Sequence, residues 1–383
     1  MLSAKSKERP LLICSSCGIR APADQPIWRC GGCGGLLNIE MESEFPLNKI
    51  HNRPFTMWRY REAIPIENDE NIISLGEPLT PLAKIEIAGR PVMIKMDHLF
   101  PTGSFKDRGA SVLVSKMREL GITRAVEDSS GNAGAAIAAY CAAAEIECEI
   151  FIPAGAPEAK STQIELYGAS VKKIEGSRED TAAAALEAAR KLYYASHCWN
   201  PFFIHGIKTF AFEVTEQLGW KAPDAVVLPA GNGTLILGAF LGFRELHSAG
   251  ITDGIPKIIA VQAENCAPLY HSWKTSGLNK IEMKVIPTSA EGIAVANPVR
   301  AREILECVRK SDGRIITVSE EEIKVALKFA LSKGYFIEPT ASAAIAGVKK
   351  YLSGKDAVKS IVSVFTGHGL KSPEKMQHIL EES

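Results

Sequence analysis

The sequence predicts an α/β protein with parallel sheets flanked by helices, and three observations predict it. First, from about residue 92 onward, short apolar runs such as Ala225-Val226-Val227-Leu228 and Ile258-Ile259-Ala260-Val261 alternate with longer, Ala-rich stretches of helical length. Second, glycine-bearing turns join the ends of such runs to the helices that follow, as in Ser129-Ser130-Gly131-Asn132 and Ala230-Gly231-Asn232-Gly233-Thr234. Third, 383 residues are enough for more than one domain and a sizeable core. A cysteine-rich segment ahead of this pattern adds a small ribbon.

Composition narrows the function classes. Hydrophobic residues make up 46% and charged residues 23%, which excludes disordered and fibrous chains. Lys+Arg and Asp+Glu are both 44, so no excess charge recommends nucleic acid or a membrane surface as partner. The first ten residues lack the apolar core of a signal peptide, and a cytoplasmic enzyme is the expectation. Of nine cysteines, four fall in two Cys-x-x-Cys pairs, which suits metal binding in a reducing compartment.

Those pairs, Cys14/Cys17 and Cys30/Cys33, read as a zinc ribbon. Four thiolates can close a tetrahedral shell around Zn²⁺ and leave no open position, so the expected role is structural. Iron in the same sulfur set, or a site left empty or oxidised, is the alternative. Only Arg20 and Arg29 lie between the knuckles, too little charge for a nucleic-acid ribbon. The ribbon domain is placed at 1–45, and residues 41–72, with Pro46, Pro54 and Pro65 spacing aromatics, form a connector. A large α/β lobe is placed at 46–110 and 205–383, and a small α/β lobe at 111–204. Within the small lobe strands are expected at 125–126, 149–152 and 170–174, with helices at 133–144, 157–167 and 177–194. The last helix opens on the capping-box pair Ser177 and Asp180. The large lobe takes strands at 92–96, 225–228, 258–261 and 360–365, and helices at 207–218 and 235–243; Ser319 and Glu322 have capping-box spacing again. Five single cysteines, Cys141, Cys148, Cys198, Cys266 and Cys307, carry no Cys–His signature and read as small buried hydrophobes.

Four short motifs carry the chemistry. In Pro101-Thr102-Gly103-Ser104-Phe105-Lys106-Asp107-Arg108-Gly109 a lysine sits in a Gly-flanked turn ahead of a helical run that Ser104 can cap. A lysine held still and partly desolvated can bond an aldehyde cofactor; the plainer reading is a solvated charge cluster opening a surface helix. Ser129-Ser130-Gly131-Asn132 joins a strand to a helix and points several amides at a potential anion. Gly231-Asn232-Gly233-Thr234 can wrap a phosphate, yet fits neither dinucleotide nor Walker A spacing. The last is Thr366-Gly367-His368-Gly369-Leu370-Lys371, at the end of the closing strand, where His368 reads as a structural loop residue.

Taken together and in this order, the motifs resemble threonine-synthase-like members of the tryptophan-synthase-β-like (fold type II) family of pyridoxal-phosphate enzymes, over residues 75 to 375. The resemblance implies a two-lobed fold, with pyridoxal 5′-phosphate held by Lys106, Asn132, Gly231, Asn232, Gly233, Thr234 and Thr366. Ser129, Ser130 and Gly131 would take the carboxylate of an amino-acid substrate, and Lys106 would be catalytic. Some relatives carry a similar ribbon, and a homodimer is the assembly implied. The implied reaction is that of a lyase of amino-acid biosynthesis converting O-phosphohomoserine and water to threonine and phosphate. The pattern is departed from in three places: phenylalanine stands in the step Asn200-Pro201-Phe202-Phe203 where a phosphate-binding arginine is expected, Leu235 replaces an asparagine, and Ser130 a threonine. Glu291-Gly292-Ile293-Ala294-Val295 looks more like serine and threonine dehydratases. Dehydration of serine or threonine, β-replacement on O-phosphoserine as in cysteate or cysteine synthases, and a non-catalytic ribbon-tethered binding module therefore stay open.

Overall fold

The computed structural model describes residues 9–155, 158–275, 286–354 and 358–381. Its contacts divide the chain into two compact units, one of Met1–Gly76, Arg108–Pro157 and Ser161–Gly206, the other of Glu77–Asp107, Glu158–Lys160 and Ile207–Ser383.

The first unit holds two sheets. The ribbon is a three-stranded antiparallel sheet with Leu11–Cys14 in the middle, paired to Arg20–Pro22 and to Leu37–Glu40. The other sheet is wholly parallel, in the order Ser170–Ile174, Glu147–Pro153, Arg124–Glu127, Tyr193–Tyr194. Residues 46–76, assigned to the large lobe from the sequence, cluster instead with this unit. The reason is packing: Met57, Trp58, Ile64 and Ile66 bury against Val112. Trp58 Nε1 donates to Ser111 Oγ at 3.0 Å, which in turn donates to the Ile73 carbonyl at 2.7 Å. The ribbon is tied in as well, since Trp28 sets its ring edge-on to Tyr194 at 4.9 Å and to Trp199 at 5.7 Å.

The helix expected over 177–194 begins with the predicted capping box at Ser177 but ends at Ala188. Tyr193 and Tyr194 are drawn into the sheet because their rings are buried there and their hydroxyls find partners: Asn200 Nδ2 donates to Tyr193 Oη at 2.8 Å, and Tyr194 Oη donates to an Asp128 oxygen at 2.7 Å. The helix expected over 157–167 spans Glu158–Leu166, residue 157 lying outside the described residues.

The second unit is built on a six-stranded sheet ordered Arg314–Val318, Lys257–Ala263, Ala225–Pro229, Ile361–Val364, Arg90–Lys95, Leu82–Ile87. Every pairing is parallel except the last, a hairpin at the edge. Its central strands are apolar on both faces, as a sheet covered by helices requires. The helix Pro339–Leu352 is almost entirely buried, and its alanines let it lie close against the strands. At the foot of the edge hairpin, Lys95 and Glu213 form a fully buried ion pair of 2.6 Å, and Lys95 Nζ also donates to the Thr80 carbonyl and to Gln217 Oε1. These extra acceptors let a buried ammonium persist. Where one helix is expected over 207–218, the chain forms Pro201–Ile207 and then Thr209–Gln217. Among the described residues, no helix is long and apolar enough to cross a membrane.

Candidate active site

In the second unit the neighbouring parallel strands Ala225–Pro229, Ile361–Val364 and Arg90–Lys95 end along one edge of the sheet, and three of the predicted motifs follow them there. In open α/β sheets this carboxyl edge is where ligands bind. The lysine turn is stitched to the end of the closing strand: the Phe105 amide donates to the Thr366 carbonyl at 3.0 Å, and the His368 amide to the Gly103 carbonyl at 2.9 Å. Lys371 Nζ reaches the Thr102 carbonyl at 2.7 Å. Lys106 is the first residue of the helix Lys106–Glu119, half-buried, with its Nζ 4.8 Å from the Phe105 ring centroid. Asp107 and Arg108 are fully buried, so the motif is not a solvated charge cluster.

Asp107 is the clasp of this turn. One carboxylate oxygen accepts the Thr102 amide at 2.8 Å, and the other accepts the Thr102 hydroxyl. Burial pushes its carboxyl up from 3.8 to about 7 against the opposing pull of these bonds and of Lys371. The folded protein thus binds a proton that the unfolded chain releases, so the stability linked to this proton is complete below pH 3.8 and is lost as pH rises through about 7. Asp107→Asn is expected to flatten that segment of the stability–pH curve, measured as the urea midpoint between pH 4.5 and 8. Ser104, expected to cap the helix, does not: its hydroxyl, two positions before Lys106, is buried with no hydrogen-bond partner among the described residues. Only its carbonyl accepts the Asp107 amide, at 3.3 Å.

Thr366 is buried, and its hydroxyl donates to Glu338 Oε1 at 3.1 Å. Glu338 is the residue before the helix Pro339–Leu352, to which its side chain gives no capping bond, and its amide donates to the Gly367 carbonyl at 3.0 Å. With its proton directed at a carboxylate, Thr366 offers a ligand an acceptor oxygen. Sequence reasoning missed Glu338, although an acidic residue just before a proline that opens a helix marks the position. His368 serves its own loop, its Nδ1 accepting the Leu370 amide at 3.2 Å.

The third motif lies between the strand Ala225–Pro229 and the helix Thr234–Ser248. Gly233 is the residue before the helix and has φ +75°, a left-handed conformation. A side chain at Gly231 would come within 2.9 Å of the Gly292 carbonyl oxygen and of Ile293 Cα. The segment Glu291–Ile293, a single helical turn, is thereby seated on the loop, and the Gly292 amide is held by Thr340 Oγ1 at 3.0 Å. The loop leads into the positive, N-terminal end of a 15-residue helix, a setting suited to a phosphate. Gly233→Ala is expected to cost about 1–2 kcal/mol in backbone strain and to weaken cofactor binding roughly tenfold, read from a spectrophotometric titration.

In the first unit, Ser129, Ser130 and Gly131 link the strand Arg124–Glu127 to the helix Asn132–Ala143, whose first-turn amides have no acceptor within the helix. The Gly131 amide donates to Ser129 Oγ at 3.3 Å. Phe203, in the step where a phosphate-binding arginine is expected, is wholly buried, and its ring fills the space that a side chain at Gly109 would occupy. It is a packing residue. In the ribbon, the sulfurs of Cys14, Cys17, Cys30 and Cys33 lie within 4.8 Å of one another, with Cys14 and Cys33 at 3.4 Å and Cys17 and Cys30 at 3.6 Å.

A family model described as pyridoxal-phosphate dependent enzyme matches residues 73–367, which include the first three motifs whole and the opening Thr366-Gly367 of the fourth. The chain belongs to that family. As a pyridoxal-phosphate-dependent enzyme it is also similar to two curated relatives, both named threonine synthase. One, from Methanocaldococcus jannaschii, is 36% identical over 96% of this chain and 95% of its own length. The other, from Methanosarcina acetivorans, is 35% identical over 97% and 94%. Its fold is that of a solved threonine deaminase isoform 2 from Solanum lycopersicum, with a TM-score of 0.68 at 23% identity, covering 86% of this chain and 96% of that one.

The second unit fits the cofactor on its own geometry. A half-buried lysine stands beside an orphaned serine hydroxyl, Thr366 supplies an acceptor, and a glycine turn opens a helix toward an anion.

Proposed function

We propose that this enzyme is a threonine synthase, a carbon–oxygen lyase that converts O-phosphohomoserine and water to threonine and phosphate. The observation that carries the reading is full-length similarity, 36% identity over 96% of the chain, to a curated enzyme of that name. Bound at Lys106, pyridoxal phosphate supplies an electron sink for negative charge developing beside the substrate's amine. Lys106 would hold the cofactor through its aldehyde carbon and, freed by the substrate amine, would take protons from the α and β carbons and return them at the γ and α carbons, with phosphate lost from the γ carbon and water added at the β carbon. The amides of Gly231, Asn232 and Gly233, with the Thr234 hydroxyl, seat the cofactor's phosphate. Thr366, backed by Glu338, meets its ring nitrogen, and Asn132 leans on its ring hydroxyl. Ser129, Ser130 and Gly131 hold the substrate carboxylate. The four ribbon cysteines hold one structural Zn²⁺: a Zn–S bond near 2.3 Å implies sulfur spacings of about 3.8 Å, within the range of this cluster. The enzyme works in the cytoplasm, as a homodimer, on a small amino acid rather than on nucleic acid or a membrane.

One observation favours a second reading. With Phe203 committed to packing, the expected arginine for the substrate's phosphate is missing from that step. A hydroxyl-bearing substrate, serine or threonine, would not need it. Phosphate release from O-phosphohomoserine, compared with ammonia release from threonine, separates the two. Ammonia without phosphate would replace the synthase by a dehydratase, and activity only with O-phosphoserine plus sulfite or sulfide would select β-replacement.

A further inference from the structure

Cys198, expected from the sequence to be an inert buried hydrophobe, has a histidine and a carboxylate aligned behind it. Its sulfur lies 3.0 Å from His197 Nε2, and His197 Nδ1 lies 2.6 Å from Glu127 Oε1. The other Glu127 oxygen accepts the His197 amide at 3.3 Å. Glu127 is wholly buried and His197 is 4% exposed, so a carboxylate there holds the imidazole with its Nδ1 as the donor. That choice of tautomer leaves Nε2 as an acceptor facing the thiol. Nucleophile, base and orienting acid in hydrogen-bonding sequence are the general signature of an activated nucleophile. The backbone is fixed too: the amides of Cys198 and Trp199 both donate to Ser196 Oγ, at 3.3 and 3.4 Å. The array sits at the carboxyl end of the paired strands Arg124–Glu127 and Tyr193–Tyr194, and none of its three members has a role in the proposed reaction.

We propose that Cys198 is a nucleophilic thiol, activated by the His197–Glu127 pair, whose electrophile is a small hydroperoxide. Cys198 keeps 7% of its surface exposed, a window suited to hydrogen peroxide rather than to a bulky reagent. In the step itself, His197 Nε2 takes the thiol proton and the sulfur attacks one peroxide oxygen. The O–O bond breaks, and the departing oxygen collects the proton from His197 and leaves as water. Sulfur loses two electrons to become a sulfenic acid, and the peroxide gains them.

The test is a timed exposure of the whole native protein to hydrogen peroxide with a dimedone trap, followed by peptide mass mapping. Cys148, also 7% exposed, is the matched internal standard, and Cys141 and Cys266, at 0%, are the fully buried ones. Trapping of Cys198 at least about tenfold faster than of those three supports the proposal. Trapping at their rate, or only after denaturation, overturns it. Glu127→Gln, nearly isosteric, is expected to slow the reaction at Cys198 about tenfold or more, whereas an unchanged rate in that variant overturns the relay. Should Glu127→Gln fail to fold, the comparison among cysteines of the unaltered protein still decides.

Discussion

Lys106→Ala is expected to give a folded, colourless protein with no detectable turnover. The substitution removes a half-buried side chain at the first residue of a helix, where alanine is the best helix former, so the fold should survive. What it takes away is the only group proposed to bond the cofactor and to move protons at the reacting carbons. Loss of one positioned acid–base group alone costs about 10²–10⁴ in rate, and loss of the covalent link adds to it, so kcat should fall by more than about 10³. The visible absorption that pyridoxal phosphate gains on bonding to the protein should vanish with it. Lys371 is the natural control. Burial holds the Lys371 pKa below its ordinary value, but its Nζ is spent on the Thr102 carbonyl. Lys371→Ala should loosen the lysine turn and leave the absorption in place.

The second large effect is expected at the ribbon. Four sulfurs gathered within 4.8 Å, beside a core of few apolar side chains such as Leu12, Ala23 and Leu37, would make that small sheet dependent on the proposed zinc ion. Structural zinc contributes on the order of 10 kcal/mol or more to the folding of such motifs. Because Trp28 of the ribbon packs on Tyr194 and Trp199, losing the ribbon uncovers aromatic surface on the first unit. Cys30→Ser should therefore reduce bound zinc from one atom per chain toward none. A loss of even about 3 kcal/mol would lower Tm by roughly 6–12 °C, with a red shift of tryptophan emission. Metal analysis giving iron, or a ribbon that keeps its stability after chelation, would be contrary results.

The legible part of this molecule is what depends on neighbours in sequence. Strands with unbroken apolar runs, such as Ala225–Pro229 and Lys257–Ala263, announce themselves, as do the capping boxes at Ser177 and Ser319 and the glycine turns at strand ends. What was hidden depends on partners far along the chain. Residues 46–76 join the first unit through Trp58 and Ser111, some fifty positions apart. Tyr193 and Tyr194 leave a helical pattern because the strand Arg124–Glu127 gives them a buried edge to pair with. Glu338 reaches Thr366 across 28 residues, and Glu127 meets His197 across 70. Neither pairing leaves a periodicity that a local pattern could reveal. The Ser104 cap failed for a different reason: the clasp between Asp107 and Thr102 ties the turn instead, and the serine hydroxyl stays buried without a hydrogen-bond partner among the described residues.

Borohydride reduction of the cofactor-loaded enzyme, followed by peptide mapping, tests most directly whether Lys106 carries the chemistry. A pyridoxyl group fixed on Lys106 alone is the predicted result. The same group on Lys371 or any other lysine, or no label on a protein that is nonetheless active, would contradict it.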